Sequence, residues 1–268
     1  MRQRTDYVRH VESVQRAIDL LHLFVDLDWP TGLSVTEAAT RLGVGKSTVS
    51  RLMATLALSG MLVADEETRH YYVGPFAFEL GSRFAGASLA ATLQPIVRDL
   101  ADVTGCTAQL GTLQGQYTTY LSVAEGAGRL RVVASPGDMR HVHASAIGKV
   151  LLAGLPPSRR ESLIESMLGD DGLLPPSGPN TIRDPRELTR ELIATADRGY
   201  SVSNEEAFPR IAGLGVRVSD AGRFPLAISI SFATNQFGVA DTARLVDSLN
   251  DAKAAIATKL SAPLNSSP

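Results

Sequence analysis

Residues 34–59, SVTEAATRLGVGKSTVSRLMATLALS, contain two short amphipathic helical patterns broken at Gly43-Val44. Two helices joined by so short a turn form a helix-turn-helix, the arrangement that sets its second helix into a DNA groove. Ser34 followed by Glu37 makes a capping box, in which each side chain satisfies the other residue's orphan backbone N–H, so a helix starts there. Val35, Ala38, Ala39 and Leu42 recur at helical spacing as one narrow apolar stripe, and Gly43 suits the left-handed residue that ends such a helix. In the second helix Val49, Leu52, Met53 and Leu56 repeat that stripe, while Ser47, Ser50, Arg51 and Ala54 fall opposite it at about 100° per residue.

The opposite face has the chemistry of a recognition surface. Ser47, Thr48 and Ser50 are small hydroxyl residues that let the backbone approach phosphates, and Arg51, one turn in, can reach a guanine edge with two hydrogen bonds. Lys46 at the helix start suits a phosphate contact, which positions the helix without reading sequence. Beyond Gly60, MLVADEETRHYYVG places two short apolar runs around a charged turn, a β-hairpin that would serve as a wing. Arg69 on its return strand is a candidate backbone or minor-groove contact, opposed by Asp65, Glu66 and Glu67 at the tip. Upstream, VESVQRAIDLLHLFVDL sets Val11, Val14, Ile18, Leu21 and Val25 along one apolar side of a long amphipathic helix. Three helices and a wing define a winged-helix domain over residues 11–74, preceded by a flexible basic arm, residues 1–10, with Arg2, Arg4 and Arg9.

Pro75 ends the wing, and residues 75–90 read as a linker helix interrupted at Gly81, Gly86 and Ser88. From Leu89 a helix is expected to about Thr104, then β-rich runs at 106–113, 117–125 and 129–135, a meander with short turns. Helices are expected over 146–155, 158–168 and 184–200, the last capped by Asp184 ahead of Pro185. Strands over 211–219 and 225–232 and a final helix over 242–260 complete a second domain, residues 91–260, followed by a disordered tail, 261–268. The class is α+β.

Charge restricts how such a chain meets DNA. Residues 1–80 hold eight Lys and Arg against ten Asp and Glu, so any attraction to DNA is local, around Arg41, Lys46 and Arg51. A small patch implies weak nonspecific binding and several copies acting together. The one cysteine, Cys106, allows no disulfide within the chain. No apolar run approaches the roughly 20 residues that span a bilayer, and the N-terminus lacks a signal-peptide core, so a cytoplasmic location and no membrane partner are expected.

Apparent catalytic motifs do not hold up. GVGKST at 43–48 suggests a phosphate-binding loop, but that pattern needs glycine where Thr40 stands, and a strand where a helix is read. His141 and His143 alternate on a strand or extended loop that could present two imidazoles to a metal, yet no nearby Cys, Asp or Glu completes a ligand set, and a structural or pocket-lining role is expected instead. Ser145 and Lys149 are four apart, not in the S-x-x-K spacing of an acyl enzyme. No enzyme activity, cofactor or metal is therefore expected. The alternative is a small-molecule-binding enzyme or sensor whose N-terminal helices only mediate oligomerisation. A constitutive architectural DNA binder fits poorly with the near-neutral charge and the long second domain.

Four segments in register, SVQRAIDLL, LSVTEAATRLGVGKSTVSRLMATL, YYVGPFAFELGSRF and HVHASAIGKVLLAGLP, resemble the IclR family of bacterial transcriptional regulators. The resemblance implies a winged helix-turn-helix, a linker helix and a GAF-like effector domain, an antiparallel sheet flanked by helices. It also implies a ligand-responsive, sequence-specific regulator, a repressor in preference to an activator, acting as a homodimer or dimer of dimers on a palindromic operator in double-stranded DNA. A helix starting near Ala144-Ser145 would offer exposed N–H groups and a positive dipole end to a small organic acid. By resemblance the effector site comprises Ser145, Ala146, Ile147 and Gly148, then Asn204, Gly213, Ser229 and Ser231, with Met139 in an apolar wall. The chain departs from the family pattern at Asn204, where many members have an acid, and at Phe232-Ala233, where many have Gly-Pro. Phe208 and Phe232 are thereby candidates to stack on a larger hydrophobic acid.

Overall fold

Helical stripes at one end of the chain and alternating apolar runs further on call for two separate cores. The structure, a computed structural model, describes residues 11–25, 32–83, 85–128, 134–218, 225–238 and 241–261. They fall into two compact units, Met1–Phe84 and Ala85–Pro268. The basic arm, most of the strand expected over 129–135, and the tail after Ser261 lie outside the described residues.

The first unit contains α1 (Glu12–Val25), β1 (Leu33–Ser34), α2 (Val35–Leu42), α3 (Lys46–Leu58), β2 (Leu62–Ala64), β3 (His70–Val73) and α4 (Pro75–Ser82). The capping box is present: Ser34 Oγ accepts from the Glu37 N–H at 3.2 Å, and the Ser34 N–H donates to Glu37 Oε2 at 2.9 Å. The Ser34 hydroxyl also donates to Glu37 Oε2 at 2.6 Å, and this bond, with that from the Ser34 N–H, holds the Glu37 carboxyl below the ordinary carboxylate range. Gly43, at φ 63°, closes α2 in the left-handed conformation that a side chain would strain. Ala38, Ala39, Val49 and Met53 from the helix pair pack with Leu20, Phe24, Leu33 and Leu62 into one core. The wing is a three-stranded antiparallel sheet in the order β1-β3-β2, the two-residue β1 having left no periodic trace in the sequence.

Helix α1 turns a different side to this core from the one its spacing suggests. Leu20 and Phe24 are buried, whereas Val11, Val14, Ile18 and Val25 remain 43–62% exposed. The helix carries two apolar stripes, and periodicity alone does not choose between them.

The second unit runs α5 (Ala85–Thr104), β4 (Thr107–Gln114), β5 (Tyr117–Ala124), β6 (Met139–His141), α6 (Ala146–Ala153), α7 (Pro157–Ser166), α8 (Pro185–Arg198), β7 (Ser201–Asn204), β8 (Ile211–Arg217), β9 (Leu226–Ala233) and α9 (Thr242–Ser261). Helix α5 is continuous through Gly86 and Ser88, where an interruption was expected. The six strands form one antiparallel sheet in the order β6-β5-β4-β9-β8-β7. Both faces are covered. Along β9, Ile228, Ile230 and Phe232 enter the core shared with α5 and α9, while Ala227 packs against Ile147, Val150 and Leu151 of α6. Residues of opposite parity on one strand thus serve a hydrophobic core and the α6 side, and that second side holds a cavity.

Candidate nucleic-acid interface and effector cavity

Helix α3 is oriented by its buried stripe, Val49 and Met53, each 0% exposed. The far side presents Lys46, Ser47, Ser50 and Arg51 to solvent, with Thr48 half-buried and Arg41 exposed in the last turn of α2. The helix sequence KSTVSRLMATLAL carries two cations and no carboxylate, so its surface is positive although the surrounding domain is not. Its N-cap is Gly45, which offers no side-chain oxygen to the first N–H groups. Those donors therefore point outward without a side-chain cap, an arrangement suited to a phosphate. On the wing, Arg69 is exposed and held at φ 57°, leading into β3. The Asp65 carboxylate at the tip accepts from the Glu67 and Thr68 N–H groups at 2.9 and 3.2 Å, turned toward its own backbone.

In the second unit, Ser145 caps α6, its Oγ accepting from the Gly148 N–H at 3.0 Å and lying 3.3 Å from Thr118 Oγ1. The helix start faces a cavity of about 40 Å³ lined by Tyr120, Ala134, Arg140, Ser145, Ala146, Ile147, Ser203, Ala207, Phe208, Ile211, Ala212, Gly213, Ser229 and Ser231. Gln109 on β4 organises its hydroxyls: Ser229 Oγ donates to Gln109 Oε1 at 2.9 Å, and Gln109 Nε2 donates to Ser231 Oγ at 3.2 Å. A Cβ on Gly213 would lie 3.6 Å from both Ala146 Cβ and Ser231 Oγ, so glycine keeps this wall open.

Of the residues expected at the effector site, Ser145, Ala146, Ile147, Gly213, Ser229 and Ser231 line this cavity, and Met139, Gly148 and Asn204 do not. Strand alternation separates Met139 from its neighbour Arg140, which does line the space. Gly148 packs on the Val142 backbone, where a Cβ would meet the Val142 carbonyl oxygen at 1.9 Å. Asn204 is exposed, its carbonyl accepting from Asn180 Nδ2 at 3.2 Å. Phe208 lines the cavity, but Phe232 sits in the opposite core, edge-on to Phe237 at 5.1 Å. Sequence reasoning missed Arg140, Tyr120 and Ser203. Only the position of Arg140 beside Met139, and of Ser203 beside Asn204, could have signalled two of them.

Behind the cavity lies a buried ion cluster. Lys149 Nζ, on α6, is 2.6 Å from Glu206 Oε1 and 3.5 Å from Glu191 Oε1, and Arg198 binds Glu191 at 2.7 Å. Burial pushes the Glu206 carboxyl up, and the Lys149 charge opposes that shift. His143 is fully buried, its Nε2 donating to the Pro175 carbonyl at 3.0 Å, and desolvation lowers its pKa to about 4. Burial pushes the Cys106 thiol up to about 11, away from nucleophilic use. Among the described residues no three His, Cys, Asp or Glu side chains are placed to hold a metal, and no helix is long and apolar enough to cross a membrane.

Residues 13–66 match the IclR helix-turn-helix domain and residues 84–258 match the C-terminal domain of bacterial IclR transcriptional regulators. The chain is 35% identical over 244 residues to the HTH-type transcriptional regulator BhcR of Paracoccus denitrificans (strain Pd 1222), covering 90% of this chain and 85% of that protein. It is 30% identical over 225 residues to the transcriptional repressor IclR of Escherichia coli (strain K12), covering 82% and 80%. An IclR transcriptional regulator crystal structure from Alicyclobacillus acidocaldarius superposes with a TM-score of 0.76 at 27% identity, covering 94% of this chain and 99% of that one. With an outward-facing basic helix on a winged domain, and a six-stranded sheet carrying a cavity with serine hydroxyls in its lining, the chain belongs to the IclR family of DNA-binding transcriptional regulators.

Proposed function

We propose that this protein is a sequence-specific repressor, acting in the cytoplasm, whose grip on its operator is set by a small organic acid bound in the cavity at the start of α6. The observation that carries the reading is the pairing of an exposed α3 face, Lys46, Ser47, Ser50 and Arg51, with a separate cavity of convergent hydroxyls. Arg51 reads a base edge; Lys46, Ser47, Thr48, Arg41 and Arg69 meet the backbone. Ser145, Ser229 and Ser231 and the α6 N-terminus receive the acid. The exposed Val11, Val14, Ile18 and Val25 side of α1 supports pairing of two copies, which in turn asks for a palindromic operator with half-sites about one helical turn apart or a multiple of it. By linkage, an acid that loosens the operator complex is itself bound less tightly when DNA is present.

Footprinting on DNA upstream of the protein's own gene tests the first half. Arg51→Ala is expected to lose about 1–3 kcal/mol on the cognate site and to blunt discrimination at one base position per half-site. Unaltered specific binding by that variant would remove α3 from the readout.

A further inference from the structure

The cavity holds a cation that the hydroxyl lining does not require. Arg140, on β6, lines the space with its guanidinium carbon over two aromatic rings, 5.0 Å from the Phe208 centroid and 5.7 Å from that of Tyr120. Its side chain is 22% exposed, and its fork is only partly satisfied by two partners on its own strand end. Nη1 donates to the Met139 carbonyl at 2.6 Å and Nη2 to Asp138 Oδ2 at 3.2 Å. Asp138 is the more solvent-facing member, 36% exposed, and it also accepts from the Ser135 N–H at 3.1 Å. The other N–H donors of the fork suit a carboxylate, which a guanidinium matches with two parallel hydrogen bonds.

We infer that Arg140 is the charge selector of the effector cavity: it takes the carboxylate of a small monocarboxylic acid in place of Asp138, its partner in the structure. The inference rests on the reading of this cavity as the effector site and adds which group reads the charge. Size follows from the same space. One water needs about 10–15 Å³ by the same measure, so 40 Å³ takes about three or four non-hydrogen atoms of the acid beyond the carboxylate oxygens that replace those of Asp138. Phe208 belongs to the turn between β7 and β8, so an acid drawn onto Arg140 also touches the ring that covers it. A neutral analogue of the same shape keeps the hydroxyl contacts and loses the charge-assisted pair, a difference of about tenfold to hundredfold in affinity. The α6 dipole alone gives about twofold to fivefold.

The test is calorimetric titration of the full-length protein with glycolate, lactate, propionate and benzoate, each against its own amide. Four forms are compared: the native protein, Arg140→Gln, Arg140→Lys and Asp138→Asn, with Ser231→Phe as the cavity-filled control. The native protein is expected to prefer an aliphatic acid over its amide by at least about tenfold, and Arg140→Gln to reduce that preference below about fivefold. Arg140→Lys keeps the charge without the fork and falls between them. Asp138→Asn removes the internal competitor and tightens the acid while leaving the amide unchanged, an effect that a merely structural ion pair would not produce.

Outcomes separate the two readings. Acid binding that Ser231→Phe abolishes but Arg140→Gln leaves intact overturns Arg140 as selector and keeps the cavity as effector site. Acid binding undiminished in Ser231→Phe overturns the cavity itself, and with it this inference. No binding by any acid of the panel overturns the acid class for both. Should Arg140→Gln lose its native circular dichroism, Asp138→Asn decides alone: unchanged or weaker acid binding refutes the competition.

Discussion

Lys149→Met isolates the energetics of the cluster that anchors the cavity wall. The Lys149 side chain is 1% exposed and its Glu206 partner 8%, with 2.6 Å between the charged atoms. Removing the ammonium leaves a carboxylate buried without its counter-charge, a change that costs about 3–5 kcal/mol where it has been measured. Glu206→Gln is milder, because Lys149 keeps Glu191 at 3.5 Å, and about 1–2 kcal/mol is expected. The double variant Lys149→Met/Glu206→Gln should recover at least half of the Lys149→Met loss, since the orphaned charge is gone. The pH dependence has a definite sign. With Lys149 removed, the opposing influence on Glu206 disappears and burial raises its folded pKa further, so the folded state binds the extra proton. The Lys149→Met deficit should therefore be largest at neutral pH and shrink as pH falls and Glu206 takes up its proton. Amide hydrogen exchange at α6, read by mass spectrometry, localises the loss to the second unit; urea unfolding followed by circular dichroism gives its size. A Lys149→Met cost below about 1 kcal/mol at neutral pH, or a pH-independent one, would refute the argument.

Lys46→Ala should weaken cognate and random DNA alike and reduce the salt slope of binding by about one unit; a loss confined to the cognate sequence contradicts a phosphate role. His143, depressed to about 4 from an ordinary 6.5, is neutral in the folded state but charges earlier when unfolded. Its contribution is complete above pH 6.5 and is lost as pH falls toward 4, about 3 kcal/mol in all, so His143→Gln should flatten the acid limb of the stability curve measured by thermal denaturation.

The DNA-binding unit was legible because its determinants are local. A capping box reaches three residues, a left-handed glycine is a property of one, and a helical stripe repeats within two turns. Ser34, Glu37, Gly43, Val49 and Met53 accordingly stand where their spacing places them. The same logic failed on α1, where two apolar stripes compete and only packing against α2 and α3 selects Leu20 and Phe24. It failed again on β7, four residues long, too short for an alternation to register.

The cavity belongs to tertiary structure. Its wall joins Gln109 to Ser229 across 120 positions and Ser203 to the Ala144 carbonyl across 59, through strand pairings that no local window contains. Which face of each strand looks inward depends on register, and a shift of one residue would exchange the pocket serines of β9 for Ile228 and Ile230. Sequence alone determined the outward basic helix, because helix geometry fixes the angle between neighbouring side chains. Only the folded sheet decided that Arg140, and not Met139, would line one cavity with Ser145, because that shared lining depends on how distant strands align.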